Sequence, residues 1–207
     1  MTQEKNIESL FKDYFSLYYP SLSKGVALLT MLLEADLKRG ELDLIFNLLS
    51  GEISPYLQEN SSTEEKAEIF RLVLFDKLKF KIKSLTDEKQ LSLKHTVSTR
   101  STTPMFMGVL YLLLAQNFNT PAFLGLNKGK VIVCFEHEYN FPRVYIEMND
   151  NGTFITESEY RLDPKDSLES LTTKQIIRHL LSNLIYLYTK QNSDEKKQTV
   201  QKLLNSY

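Results

Sequence analysis

The sequence has a single cysteine, Cys134, so no internal disulfide can form; this fits a reducing cytoplasm, the location expected. Glycine is scarce at seven residues, and none builds a Gly-rich phosphate loop, a Walker sequence or a GxSxG elbow. Neither sign of charge is in excess. The 25 basic and 26 acidic residues leave a net charge of −1, which removes any general electrostatic drive toward nucleic acid or an anionic membrane. The longest apolar stretch, Met105 to Ala115, is well short of the roughly 18–20 residues that a membrane span needs, and it reads as a buried helix. Met1 to Leu10 carries Glu4 and Glu8 with no apolar run, unlike a signal peptide. There is no HExxH or CxxC, and the three histidines, His95, His137 and His179, have no metal-ligand spacing with Cys134. Neither a metal nor a cofactor is expected.

What is present is an ordinary globular composition. The chain has 207 residues, 42% hydrophobic and 25% charged, enough for one large domain or two small ones with a core that needs no disulfide or metal. Ile7 to Tyr19 reads as a helix whose spacings of three and four put Phe11, Tyr14, Phe15 and Tyr18 on one face. That stripe suits a core better than a ligand-binding aromatic surface. A second helix is expected over Val26 to Lys38, closed by Gly40 as a C-terminal cap, and a short third over Leu42 to Leu49, stopped by Ser50 and Gly51. Ser62 or Thr63 can cap a fourth helix that runs through Leu78.

Lys77, Lys79, Lys81 and Lys83 alternate with Leu78, Phe80 and Ile82. The choice is between a basic nucleic-acid patch and a solvated strand face or helix end, and the neutral total charge favours the second. From Lys130 the pattern turns strand-like. Val131–Phe135, Val144–Met148 and Thr153–Thr156 are rich in β-branched and aromatic residues, Asp150-Asn151-Gly152 signals a turn, and the strands should form an antiparallel sheet. Ile176, Ile177, Leu180, Leu181, Leu184, Ile185 and Tyr188 make a one-sided helical stripe. A last helix follows with Val200, Leu203 and Leu204 facing inward, giving a C-terminal helical hairpin.

Residue chemistry alone stops at an α+β domain. Cys134 and His137 are three apart in a strand, so they point to opposite faces and make a poor nucleophile–base pair; Cys134 reads as a small buried hydrophobe. His179 lies on the polar side of its helix, and His95 lies in a polar loop.

The order of elements carries a further signal. Leu74-Phe75-Asp76-Lys77-Leu78-Lys79-Phe80 resembles an "LFeelgF" motif. Asn117-Phe118-Asn119-Thr120-Pro121 resembles "rlGlp", and Gly129-Lys130-Val131-Ile132-Val133 resembles a "GHFLV" strand. Ile146–Gly152 resembles "LDPFNGG", and Arg178–Tyr186 resembles "RlLnNLkalY". Together, from about Val26 to Leu204, they resemble the bacterial SirB-type branch of the transglutaminase-like superfamily.

That resemblance implies an N-terminal helical region (1–90), a transglutaminase-like, papain-like core (91–165) and the helical hairpin (166–207), forming one compact unit. Active members of the superfamily use a Cys–His–Asp triad with the Cys opening a helix. By position these fall on Pro104, Lys130 and Glu147, none of which can take its part: proline has no nucleophile, and a lysine beside a carboxylate stays protonated. Thr102 also replaces the family's glycine before that proline. The resemblance therefore implies a non-catalytic protein- or peptide-binding or regulatory module, to which the hairpin would add a groove, with no nucleic-acid or membrane partner. Arg100, Thr102, Thr103 and Tyr145 are the candidate binding residues. The alternatives are a hydrolase or peptidase-like enzyme using Thr102, Thr103 or Cys134, and a structural domain with no cleft. Two local expectations follow: Ser101, Thr102 or Thr103 caps the helix that Pro104 opens, and Lys130 pairs with Glu147 across neighbouring strands.

Overall fold

The computed structural model describes residues 2–38, 40–136, 143–155 and 168–205. The architecture is α+β, with a small antiparallel sheet and a C-terminal helical pair. Two compact units share the chain. One is built from Met1–Leu42, Leu85–Thr99 and Thr172–Tyr207, the other from Asp43–Ser84 and Arg100–Leu171. This departs from the sequential division at 1–90, 91–165 and 166–207. The reason is burial: the apolar stripes of the first and last helices are buried together, so the chain's two ends share a core.

In the first unit α1 (Thr2–Ser16) buries Phe11, Tyr14 and Phe15. Tyr18 does not join them. The helix ends at Ser16, whose hydroxyl bonds back to the Asp13 carbonyl, so Tyr18 falls out of helical phase and is 84% exposed, edge-on to Tyr19. Helix α2 (Leu22–Leu33) starts under a Ser21 cap and ends at Glu34, short of the expected Lys38. Glu34 leaves helical geometry there and its carboxylate accepts from the buried Ser92 hydroxyl at 2.9 Å. Gly40, at φ +77°, lies in the link beyond rather than at the cap. A 3-10 turn, Glu88–Leu91, leads to α5 (Leu93–Thr99), which contains His95; the polar loop expected there is helical because Ser92 caps it, accepting from the His95 N–H. Helices α7 (Thr173–Lys190) and α8 (Asp194–Asn205) form the hairpin, with Ile176, Leu180, Leu184, Val200 and Leu203 buried. Leu204 and Ile185 are half-buried.

The second unit begins within α3 (Glu41–Ile53), which runs straight through Ser50 and Gly51. An exposed glycine weakens a helix by roughly 1 kcal/mol relative to alanine but does not stop it; the stop comes at the turn holding Pro55. Helix α4 (Thr63–Arg71) starts on a full capping box between Ser62 and Glu65 and continues as a π-helical turn, Leu72–Lys77. Two short strands, β1 (Lys81–Ile82) and β2 (Ser101–Thr102), pair in parallel. Leu78 and Phe80 are buried while the lysines between them are exposed, so the lysine alternation is a solvated face.

Helix α6 (Pro104–Asn117) buries every residue from Met105 to Ala115, as an all-apolar helix must. It packs on β3 (Ala122–Asn127) and β4 (Lys130–Phe135) of a five-stranded antiparallel sheet ordered β6-β5-β4-β3-β7, where β5 is Val144–Glu147, β6 is Thr153–Ile155 and β7 is Glu169–Ser170. Strand β3 was not legible in advance, and Met148 leaves β5 to start a 3-10 turn. Thr156 and His137 lie outside the described residues. Two residues in the left-handed region, Lys128 and Gly129, close the β3–β4 hairpin, and Asn151 and Gly152 close β5–β6.

Candidate functional site at the start of the buried helix

Four residues lead into α6. Arg100 is exposed and sits at φ +54°, and its carbonyl accepts from the Lys81 N–H at 2.8 Å. The Thr102 carbonyl accepts from the Lys83 N–H at 2.8 Å, so backbone hydrogen bonds pin the segment to β1. Thr103 is the cap: its hydroxyl accepts from the Phe106 N–H at 3.3 Å, and Pro104 takes the first helical position, where a missing N–H costs nothing. Thr102 and Thr103 are both buried, and the Thr103 hydroxyl is committed to the helix end, a poor starting point for a nucleophile.

The strands sort the remaining candidates by face. Ile132 stands opposite Glu147, and Cys134 stands opposite Tyr145. Directly opposed residues share a face, so Lys130, Ile132, Cys134, Tyr145 and Glu147 lie on one side of the sheet. Lys130 reaches Glu147 diagonally, Nζ to Oε2 at 2.9 Å, and forms the expected ion pair. The lysine is more than half exposed, so solvent screening holds the contribution below about 1 kcal/mol. Cys134 and Tyr145 are buried with Ile132 in an apolar cluster packed by Phe123, Ile155 and Leu168. A thiol with no solvent exposure is placed as core rather than as a nucleophile.

The opposite face belongs to α6. A side chain on Gly108 would meet Leu124 and Val131, and the register carries that face on through Val133 and Ile146. All four are apolar. Pro104 therefore opens a helix packed on one side of the sheet, while Lys130 and Glu147 project from the other. Shifting the correspondence by one residue in either direction offers Gly129 or Val131 and Ile146 or Met148, none of which has a proton to exchange. The structure brings Lys130 and Glu147 together but does not bring them to Pro104.

Tyr111, in the middle of α6, is fully buried among Phe70, Phe75 and Phe135, and burial pushes its phenol above the ordinary tyrosine range. His179 is exposed on α7. Among the described residues no cluster of His, Cys, Asp and Glu could hold a metal ion. One contact escaped sequence reasoning: Asn149 Oδ1 accepts from the Val131 N–H at 2.7 Å and ties the β5 turn to β4. Its signal was an Asn beside the Asp150-Asn151-Gly152 turn, where such side chains commonly bond to backbone.

Against this geometry, a family model described as the transglutaminase-like superfamily matches residues 43–182, well over half of the chain. The chain belongs to the transglutaminase-like superfamily. No curated protein and no solved structure gave a match. Within this transglutaminase-like chain the matched span takes in α6, the whole sheet and the first part of α7.

Proposed function

We propose that this transglutaminase-like protein is a non-catalytic, SirB-type member of its superfamily that serves as a protein- or peptide-binding, regulatory module in the bacterial cytoplasm. One observation carries the reading. The helix start where the superfamily holds its nucleophile is occupied by Pro104, and the sheet face packed beneath that helix is apolar. The buried, unbridged Cys134 is in keeping with a reducing compartment. Among the described residues no helix is long and apolar enough to cross a membrane.

The test has two arms. A panel of amide, ester and transamidation substrates should show no turnover, and Pro104→Cys should create none, because no base faces the new thiol. Turnover that disappears on Cys134→Ala or Thr103→Ala would instead establish the hydrolase alternative. In the second arm, a partner captured from host extract should capture this chain in turn when it carries the tag. Failure of reciprocal capture removes the binding-module reading.

A further inference from the structure

The first unit carries an open groove of about 420 Å³, within the size range of ligand sites. Its floor is apolar, with Leu32 of α2, Val200 of α8 and the ring of Tyr188 on α7. Its charged residues are Glu88, Glu195 and Lys196, two carboxylates against one ammonium, so the lining as a whole favours a cation.

Lys196 fills the polar end in an instructive way. Its Nζ is 2.9 Å from both Glu88 carboxylate oxygens and 5.6 Å from the centre of the Tyr188 ring, inside the roughly 6 Å reach of a cation–π contact. The two halves of this contact differ in how firmly they are held. The Glu88 side chain is 22% exposed, and the turn that carries it is fixed by a capping box between Asp87 and Gln90. Tyr188 is 4% exposed. Lys196 is 58% exposed on a flexible four-carbon stem. The carboxylate is held on a fixed turn and the aromatic ring is buried, whereas the cation lies mostly in water.

We infer that Glu88 and Tyr188 form a receptor for a basic side chain of a partner peptide, seated beside an apolar residue on the Leu32–Val200 floor, and that Lys196 is an internal stand-in which the partner's lysine or arginine displaces. The inference deepens the peptide-binding reading and rests on it. The same contact could serve only to staple α8 to the turn, and the two roles predict different things.

The discriminating experiment is an NMR titration of the full chain, with methyl groups labelled, using acetyl-Leu-Lys-amide, acetyl-Leu-Glu-amide and acetyl-Leu-norleucine-amide. Lys196→Met keeps the stem and removes the competing charge. It should bind the lysine dipeptide about tenfold more tightly than the unaltered chain, with saturable shifts at Val200 and Leu32, because an occluding competitor has been removed. Glu88→Gln should abolish that gain, and the glutamate and norleucine dipeptides should bind more weakly to every variant. Lys196→Gln provides the same test should the methionine variant melt early. Equal affinity of the two Lys196 variants and the unaltered chain for the lysine dipeptide, or no preference for it over the glutamate dipeptide, overturns the inference. Reciprocal capture of a partner that survives Glu88→Gln also retires the groove while leaving the binding-module reading in place.

Discussion

Helices α3 and α6 are both mostly apolar and have opposite fates. Residues 41–53 read ELDLIFNLLSGEI and residues 104–117 read PMFMGVLYLLLAQN, each mostly apolar with one internal glycine. In α6 every residue from Met105 to Ala115 is buried. In α3 only Leu49, Ser50 and Ile53 are, while Leu44 and Leu48 stand 60% and 64% exposed. The glycines differ in the same sense. A Cβ on Gly108 would collide with Leu124, whereas nothing lies within 4 Å of one on Gly51. Apolar content alone does not distinguish a core helix from a peripheral one; the charges at Glu41, Asp43 and Glu52 are what keep α3 at the surface.

Four substitutions sharpen this contrast, each read as a change in unfolding free energy by urea titration. Phe106→Ala empties a site with no solvent exposure and should cost about 3–5 kcal/mol. Gly108→Ala should cost about 1–3 kcal/mol, because Leu124 and Val131 must move in a filled core. Gly51→Ala should have the opposite sign, stabilising by roughly 0.5–1 kcal/mol, since it gains helix propensity and meets nothing. Leu48→Ala should change stability by no more than about 0.5 kcal/mol. A large loss at Leu48, or none at Gly108, would break the comparison.

The same contrast explains how much could be read in advance. The buried helix, the capping box at Ser62, the turn at Asp150-Asn151-Gly152 and the stripe of α7 each carry a local signal, and each appears. The ends of α2 and α3 differ from the glycine signals because Glu34 turns out of α2 to meet Ser92 before Gly40 is reached, and because α3 runs through the exposed Gly51. Strand β3 escaped because Ala122–Asn127 lacks the β-branched residues of β4, and its pairing comes from the left-handed turn at Lys128–Gly129. At the candidate site, strand alternation gave the shared face of Lys130 and Glu147. That this face is the one turned away from α6 required the packing of Gly108. The groove residues Glu88, Tyr188 and Lys196 are about a hundred positions apart between turn and hairpin, and no periodicity links them.

The discontinuity of the first unit bears on how the protein is made. During synthesis α1 and α2 leave the ribosome with Phe11, Phe15, Val26 and Leu29 seeking cover, and the hairpin that shares their core is translated only after the second unit. Most of the second unit's sheet has no such wait: strands β3 to β6 pair with their neighbours in sequence and can assemble as they emerge. Strands β3 to β6 can therefore pair before the hairpin that covers α1 and α2 has been made, and the apolar faces of those two helices stay uncovered for longer.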